Sequence, residues 1–434
     1  CNDIKCLILI YCMQKSSICC KILIFLTVIG GLQSCNFGDV NVNPNATTNE
    51  VVSLDKRLPS LEYDFASIVG GSVAVRVGNI VGYSFYKQGP VGFNKYIFSP
   101  ADASNINLWG DLYAQPINQA FQIIAKADEE GNNFYKGIAL IIQSYSIITA
   151  TTIWGDVPFA EASQASQFPF PKFDPQEAIY AKVQENLDLA IANLSNETGK
   201  VKPSVDDLIF KGDVSKWIKT AYALKARYYL HLVKKDVANY AKADVALANA
   251  FKSNADNCLL VFEEGVPDVN APLYNEKVSG DTQVDSEFGT LLRTTLKDPR
   301  EKFYTIVKGS IVNPSQIRAL YGAFYGSKGS YYPFITYEEC EFMRTEILMK
   351  TSGKAAAEPA FRAAIQASLD RICTKSIGTI PTDDVAVGIP SSVLGIYVNK
   401  VASIDSVAED STVWLSLIHI SEPTRLRRIS YAVF

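Results

Sequence analysis

Histidine is almost missing: the 434 residues include two, His231 and His419. That excludes a histidine-based nucleophile triad, a His-Glu-x-x-His zinc site and any histidine cluster. No P-loop and no Gly-x-Ser-x-Gly elbow occurs either. After an early apolar run there is no stretch of about 20 apolar residues, the length a bilayer span requires. Clustered lysine and arginine are absent, and phosphate-backbone binding depends on such clusters, so nucleic acid is not an expected partner. Cysteine is scarce in the body of the chain. Five of the nine cysteines precede residue 35, and only Cys258, Cys340 and Cys373 follow it. Their spacing matches no metal motif, and three cannot all pair. They read as core thiols, or as one pair plus one free thiol. No metal and no cofactor is expected.

What is present begins with a targeting signal. Met13 is the first methionine. Lys15 and Lys21 give a basic start, and Ile22 to Ile29 form a short apolar segment. Gly30-Gly31 and Leu32-Gln33-Ser34 then lead to Cys35. Charge, apolar run, small residues and a cut is the order of a secretory signal. A cysteine directly after the cut marks a bacterial lipoprotein, with Cys35 as the lipidated residue. The other reading is an ordinary signal peptide in which Cys35 is incidental. Residues 1–12 are expected to be translated upstream DNA and 13–34 the signal peptide. Residues 35–50, rich in Asn and Thr, would be a tether. At the other end, "LSLIHISEPTR" and "ISYAVF" resemble the translation of a transposase-type sequencing adapter. Leu426-Arg427-Arg428 lies between them in the place of a barcode. Residues 415–434 are set aside on that ground, leaving 51–414 as the body. Without 1–34 and 415–434, Lys+Arg falls from 41 to 35 and Asp+Glu from 45 to 43, a net charge near −8.

The body reads as mainly helical. Asp174-Pro175-Gln176-Glu177 is a helix start, with Asp174 as cap and Glu177 completing a capping box. Ile179, Val183, Leu187, Ile191 and Leu194 follow at spacings of four and three. Further helices are expected at Leu108–Asp128, Asn133–Thr151, Val214–Lys235, Asp236–Lys252, Tyr337–Lys350 and Glu358–Ile372. Thr336 and Glu339 form a second capping box. Consecutive helices with short turns suggest tetratricopeptide-like antiparallel hairpins, although no clean 34-residue period is visible. Residues 253–335 break the pattern and read as a loop-rich insertion with short strands.

Two stretches could carry function. "YGAFYGSKGSYYPF" sets Tyr321, Phe324, Tyr325, Tyr331 and Tyr332 among glycines and serines. Such rings can stack on the CH face of a sugar or on a peptide side chain, or they can pin an irregular loop to the scaffold. "TTIWGDVPFAEA" is a corner: Trp154 buries it, Gly155 and Pro158 turn it, and Asp156 bonds its amides. Trp109 and Trp154 read as scaffold anchors, and His231 as structural. The carboxylate pairs Glu338/Glu339 and Glu263/Glu264 could act as acid and base, but adjacent carboxylates are usually solvated or cap helices. No catalytic residue is assigned.

"WGDVPFAEA", "FPKFDPQEAIYAKVQENLDLAIANL", "KGDVSKWIKTAYALKARYYLHLVK", "APLYNE", "LKDPR", "ITYEECEFMRTE" and "FRAAIQASLDR" occur in that order. Together they resemble the SusD/RagB family of surface lipoproteins, specifically its SusD-like branch, over roughly residues 35–385. The resemblance implies a helical-hairpin fold with a loop-rich insertion. It implies a nutrient-binding, non-enzymatic lipoprotein anchored on the outer face of a Gram-negative outer membrane. It also implies a role as hinged lid on a SusC-like TonB-dependent transporter, with an oligosaccharide or peptide as ligand. Two alternatives remain: a helical-repeat scaffold that binds proteins or peptides, and a hydrolase that uses carboxylates.

Overall fold

The computed structural model describes residues 52–80, 84–86, 103–196, 200–263, 269–279, 282–284, 298–308, 318–322 and 325–374. The chain divides into residues 1–53 and 54–434, and the description below concerns the second unit. The signal segment, Cys35, the tether, Phe324 and the adapter-like tail lie outside the described residues.

Helix α1 (Leu54–Ser67) buries Leu54, Leu58, Leu61 and Phe65, one stripe at helical spacing. It runs through a π-helical stretch, Ile68–Val73, into α2 (Ala74–Ile80). The sequence predicts no helix before Leu108. Pro59 and the pair Gly70-Gly71 weaken the helical signal here. Gly70 has a packing reason, since a Cβ there would lie 2.5 Å from a ring carbon of Tyr332. Strand β1 (Ser84–Tyr86) follows. Helix α3 (Ala103–Leu112) passes through a π turn, Tyr113–Ile117, into α4 (Asn118–Glu130). Pro116 sits in that turn, where its missing N–H disturbs the regular ladder. Gly131, at φ 64°, closes α4.

Helix α5 (Asn133–Trp154) is the centre of the molecule's core. Asn132 caps it by accepting from the Phe134 amide at 3.2 Å. Seventeen of its 22 residues are buried. It is long and apolar enough to cross a membrane, which strict counting of apolar runs misses. Yet 89% of its apolar window is enclosed by protein, so it is a core helix. Gly137 allows the closest approach, because a Cβ there would come within 2.5 Å of Leu194 on α6 (Gln176–Ser195). Next are α7 (Val214–His231) and α8 (Asn239–Leu247). Both are shorter than expected, because turns occupy residues 232–235 and 237–238 between them.

The insertion holds β2 (Cys258–Val261), α9 (Pro272–Ser279), β3 (Thr282–Val284), α10 (Glu301–Tyr304), β4 (Thr305–Lys308), β5 (Arg318–Tyr321) and β6 (Tyr331–Ile335). Among the described residues these strands form three antiparallel pairs, β1–β3, β2–β6 and β4–β5. The chain returns to helix in α11 (Tyr337–Thr351) and α12 (Lys354–Leu369), extended by a π-helical turn, Asp370–Thr374.

Helices α4 to α8 each pack against the next, and α11 packs against α12 and α8. Two-residue links make hairpins of α4–α5 and of α11–α12. The architecture is the mainly helical, tetratricopeptide-like one expected, with the short strands, among the described residues, confined to the insertion and β1.

Buried polar groups fix the irregular parts. The Asp207 carboxylate accepts from the amides of Ile209, Phe210 and Gly212 and from Trp217 Nε1, all within 3.0 Å. It thereby organises the loop between α6 and α7. Arg227 on α7 donates through Nε and Nη2 to the Glu339 carboxylate on α11 at 2.7 and 2.6 Å, and Nη2 also reaches the Phe334 carbonyl. This explains why the expected Thr336–Glu339 capping box does not form. Glu339 is drawn inward to Arg227, and Asn257 Oδ1 takes the Tyr337 amide at 2.6 Å. Cys258 and Cys340 are free, buried core thiols. Burial pushes the Cys340 thiol up to about 12. His231 is structural, with Nδ1 2.9 Å from the Tyr180 hydroxyl.

Glu62 on α1 is wholly buried, and its Oε2 accepts from the Leu208 amide at 2.6 Å. Burial first, then the neighbouring Asp207 charge, holds its carboxyl well above the ordinary 4.5. A carboxyl raised in the folded state contributes stability below its unfolded value and loses it as pH climbs through the folded one. The Glu62 contribution to urea resistance should therefore decline from about pH 4.5 upward, and Glu62→Gln should remove that component from the pH profile. Parallel pH profiles for the two proteins would refute the assignment.

Candidate functional site

The Trp-Gly-Asp-Val-Pro corner is built by two carboxylates that serve each other's segments. Helix α5 ends at Trp154, and Gly155 turns the chain at φ 79° and ψ −123°. Val157 then pairs with Asp174 as an isolated antiparallel bridge. Asp174 was expected to cap α6. Instead its Oδ2 accepts from the amides of Phe159 and Ala160 at 2.7 and 2.8 Å. Asp156 was expected to bond amides of its own turn. Instead its Oδ1 accepts from the Gln176 amide, the first of α6, at 2.9 Å. The capping role has been exchanged between the two segments, so neither is held without the other. Gln176 Nε2 donates to the Thr151 carbonyl at 2.7 Å, joining the start of α6 to the end of α5.

Aromatic rings cover the corner. Trp109 packs edge-on to Trp154 at 5.0 Å and stacks on Tyr113 at 4.7 Å and on Phe173 at 6.1 Å. The Tyr113 hydroxyl donates to the Pro158 carbonyl at 2.7 Å. Trp109 and Trp154 are half-buried, as anchors should be. Phe173 and Phe170 are 62% and 92% exposed, so this ledge presents open ring faces.

On α4, α5 and α6 beside the corner lies a groove of about 450 Å³. Phe121, Leu140, Phe159 and Ile179 make its apolar walls, and Lys182 and Asp174 are charged groups in its lining. Two amides complete the lining: Gln143, 2% exposed, and Asn186, 7% exposed. Size and lining fit the general pattern of a small-molecule site: mostly apolar, with few placed polar groups. Sequence reasoning missed Gln143 and Phe121. Each belongs to a different helix, and no local motif marks a face that only packing assembles. Among the described residues no three His, Cys, Asp or Glu side chains converge to hold a metal.

The aromatic loop of the insertion is placed differently from the sugar-stacking expectation. Tyr325, Tyr331 and Tyr332 are 4%, 4% and 7% exposed. Tyr325 stacks on Tyr304, the Tyr331 hydroxyl accepts from Arg371, and Tyr332 seats over Gly70 and packs edge-on to Phe334. Stacking a sugar requires an open ring face, and these three are spent on internal packing. They pin the loop to the scaffold, the other role the sequence allowed. Tyr321 lies in β5, paired with Thr305, and Phe324 lies outside the described residues. The structure does not bring the loop tyrosines and the corner into one site. Glu338 and Glu339 form no acid–base pair, since each is buried against its own arginine, Arg371 and Arg227.

The fold is that of a tetratricopeptide-like helical-hairpin protein. The SusD-like family model, described as starch-binding and associating with the outer membrane, matches residues 61–379, and the chain belongs to that family. Similar solved structures share the fold at low identity. A SusD/RagB family protein from Bacteroides thetaiotaomicron has a TM-score of 0.72 at 21% identity, covering 88% of this chain and 86% of that one. A SusD homolog from Bacteroides fragilis has a TM-score of 0.67 at 16% identity, with coverage of 88% and 86%. A chitin-binding SusD homolog from Flavobacterium johnsoniae has a TM-score of 0.63 at 16% identity, with coverage of 87% and 85%. No curated protein sequence matches the chain.

Removing either carboxylate should loosen the corner. Asp156→Ala is expected to cost about 1 kcal/mol, the usual value of a lost helix cap. Asp174→Ala, which removes two hydrogen bonds to a carboxylate, one part-buried and one exposed, should cost about 1–3 kcal/mol. Urea midpoints at constant m-value measure both. Costs near zero for Asp174→Ala would show that the carboxylate does not hold the corner.

Proposed function

We propose that this chain is a lipid-anchored cell-surface protein that binds a nutrient oligomer, most simply a glycan, and passes it to a SusC-like TonB-dependent transporter. The observation that carries the reading is the family match across residues 61–379. The apolar groove and the exposed Phe170–Phe173 ledge supply surfaces suited to cargo. The chitin-binding neighbour supports a glycan over a peptide. In this reading Cys35 carries the lipid, residues 35–50 tether the body to the outer leaflet, and the helical body acts as a hinged lid. Binding does the work and no bond is broken. Glu338 and Glu339 give the acid–base alternative no support, because each is committed to an arginine, and Glu264 of the other pair lies outside the described residues. The scaffold alternative, which binds proteins or peptides, uses the same surfaces and differs in cargo alone.

Affinity purification of the tagged full chain from detergent-solubilised outer membranes tests this directly. A TonB-dependent barrel should co-purify in stoichiometric amount, and Cys35→Ala should leave the protein in the soluble fraction. A soluble wild-type protein, or a membrane-bound one with no transporter attached, would overturn the corresponding half of the proposal.

A further inference from the structure

The molecule carries an exposed knob that its own core does not use. Phe170 is 92% exposed, within Phe168-Pro169-Phe170-Pro171. A ring so exposed stands out from the surface, and only a pocket on another molecule can bury it fully. The loop is held firm. Pro169 and Pro171 each fix their own φ. The Phe168 amide donates to the Gln164 carbonyl at 2.8 Å, and the Lys172 amide donates to Glu161 Oε2 at 2.9 Å. A preordered anchor loses little entropy on docking. Its surroundings are acidic. Residues 156–177 carry the carboxylates Asp156, Glu161, Asp174 and Glu177 against one cation, Lys172.

A pocket of matching character lies on α7 and α8, with a volume of about 370 Å³. Tyr222 and Tyr229, seven residues apart on one face of α7, and Ala241 and Val245, four apart on α8, give it an aromatic and aliphatic lining. The charged groups of that lining are Lys225 and Lys242. Lys225 is bonded to Asp188 of α6. Lys242 lies 5.9 Å over the Tyr229 ring and 3.9 Å from Asp236. Leaving aside Arg227, which is buried on Glu339, residues 222–246 hold four lysines and two aspartates. That balance is opposite in sign to the one around Phe170. Val245 is 70% exposed and Phe170 92%, so the folded chain does not fill its own pocket.

The acids beside Phe170 would be repelled by anionic lipid headgroups. A sugar would cover one ring face and leave the rest of the knob in water. Both halves of a protein–protein contact, in contrast, are present on this one chain. We propose that it associates with itself: Phe170 of one copy inserts into the α7–α8 pocket of a second copy, and the acidic rim of the knob meets the lysines. Knob and pocket are different surfaces, so the contact is head-to-tail, and every dimer keeps one unused knob and one unused pocket. The groove on α4 to α6 is left to cargo.

Sedimentation velocity of the full chain, purified from detergent-solubilised membranes, tests this from about 1 μM to about 1 mM, the span of weak contacts. The sedimentation coefficient should rise with concentration, and added salt should oppose the rise. Phe170→Ala and Ala241→Trp, both at exposed positions, should each weaken association at least about tenfold. Should Ala241→Trp fail to fold, Val245→Asp, also exposed, replaces it. Mixed in equal amounts, the two variants should form dimers and nothing larger, since the first keeps an intact pocket and the second an intact knob. A contact of Phe170 with its own counterpart across a two-fold axis would not be rescued by mixing. A chain that stays monomeric over the whole range, self-association indifferent to Phe170→Ala, or variants that fail to complement each other would overturn the assignment. Loss of a co-purifying barrel on Phe170→Ala, from a chain that is itself monomeric, would overturn it in favour of the transporter as occupant.

Discussion

The exchange of carboxylates between Asp156 and Asp174 is the constraint on which the site depends. Each side chain sits on one segment and satisfies backbone donors on the other. The connection between α5 and α6 is thus closed from both ends. Phe159 and Ala160, which line the groove, are positioned by Asp174, and the first turn of α6 by Asp156. Four residues after Trp154 would otherwise be a solvated loop with no fixed direction. The exchange makes that loop a wall. It costs no catalytic chemistry and needs no metal, only two short acids at the right places.

The same device recurs wherever the helical stack must hold something irregular. Asp207 gathers four donors and shapes the loop entering α7. Arg227 on α7 reaches Glu339 and fastens the last hairpin to the earlier helices, while Arg371 pairs with Glu338 across that hairpin and holds Tyr331 of the insertion to it. These pairs are dry, so breaking one partner leaves an uncompensated charge. Their presence also explains why the molecule, although rich in carboxylates, has so few to spare for chemistry. These buried acids are structural.

Much of this was legible in the residues. The stripe from Ile179 to Leu194, the corner at Trp154 and the strand-bearing insertion follow from spacing and turn chemistry, which are local signals. The capping boxes were half legible. The sequence identifies Asp174 and Glu339 as residues that satisfy something, but a local rule assigns them local partners. Tertiary competitors won both contests: the Phe159 and Ala160 amides for Asp174, and Arg227 for Glu339. Helix α1 was hidden by Pro59 and Gly70-Gly71, whose justification is a distant ring, that of Tyr332. The tyrosines of the insertion looked available because composition does not report burial. Gln143 was invisible for the converse reason: a single amide in an apolar helix joins a groove only where packing brings three helices together.

The groove is a preformed part of the scaffold, built by the corner before any ligand arrives. Amide hydrogen exchange of the full chain, with and without bound oligosaccharide, tests that claim most directly. The Phe159, Ala160 and Gln176 amides should already be protected in the free protein, and cargo should add protection along the groove-facing side of α6. Exchange of those three amides at open-loop rates, or added protection confined to regions away from α4 to α6, would contradict it.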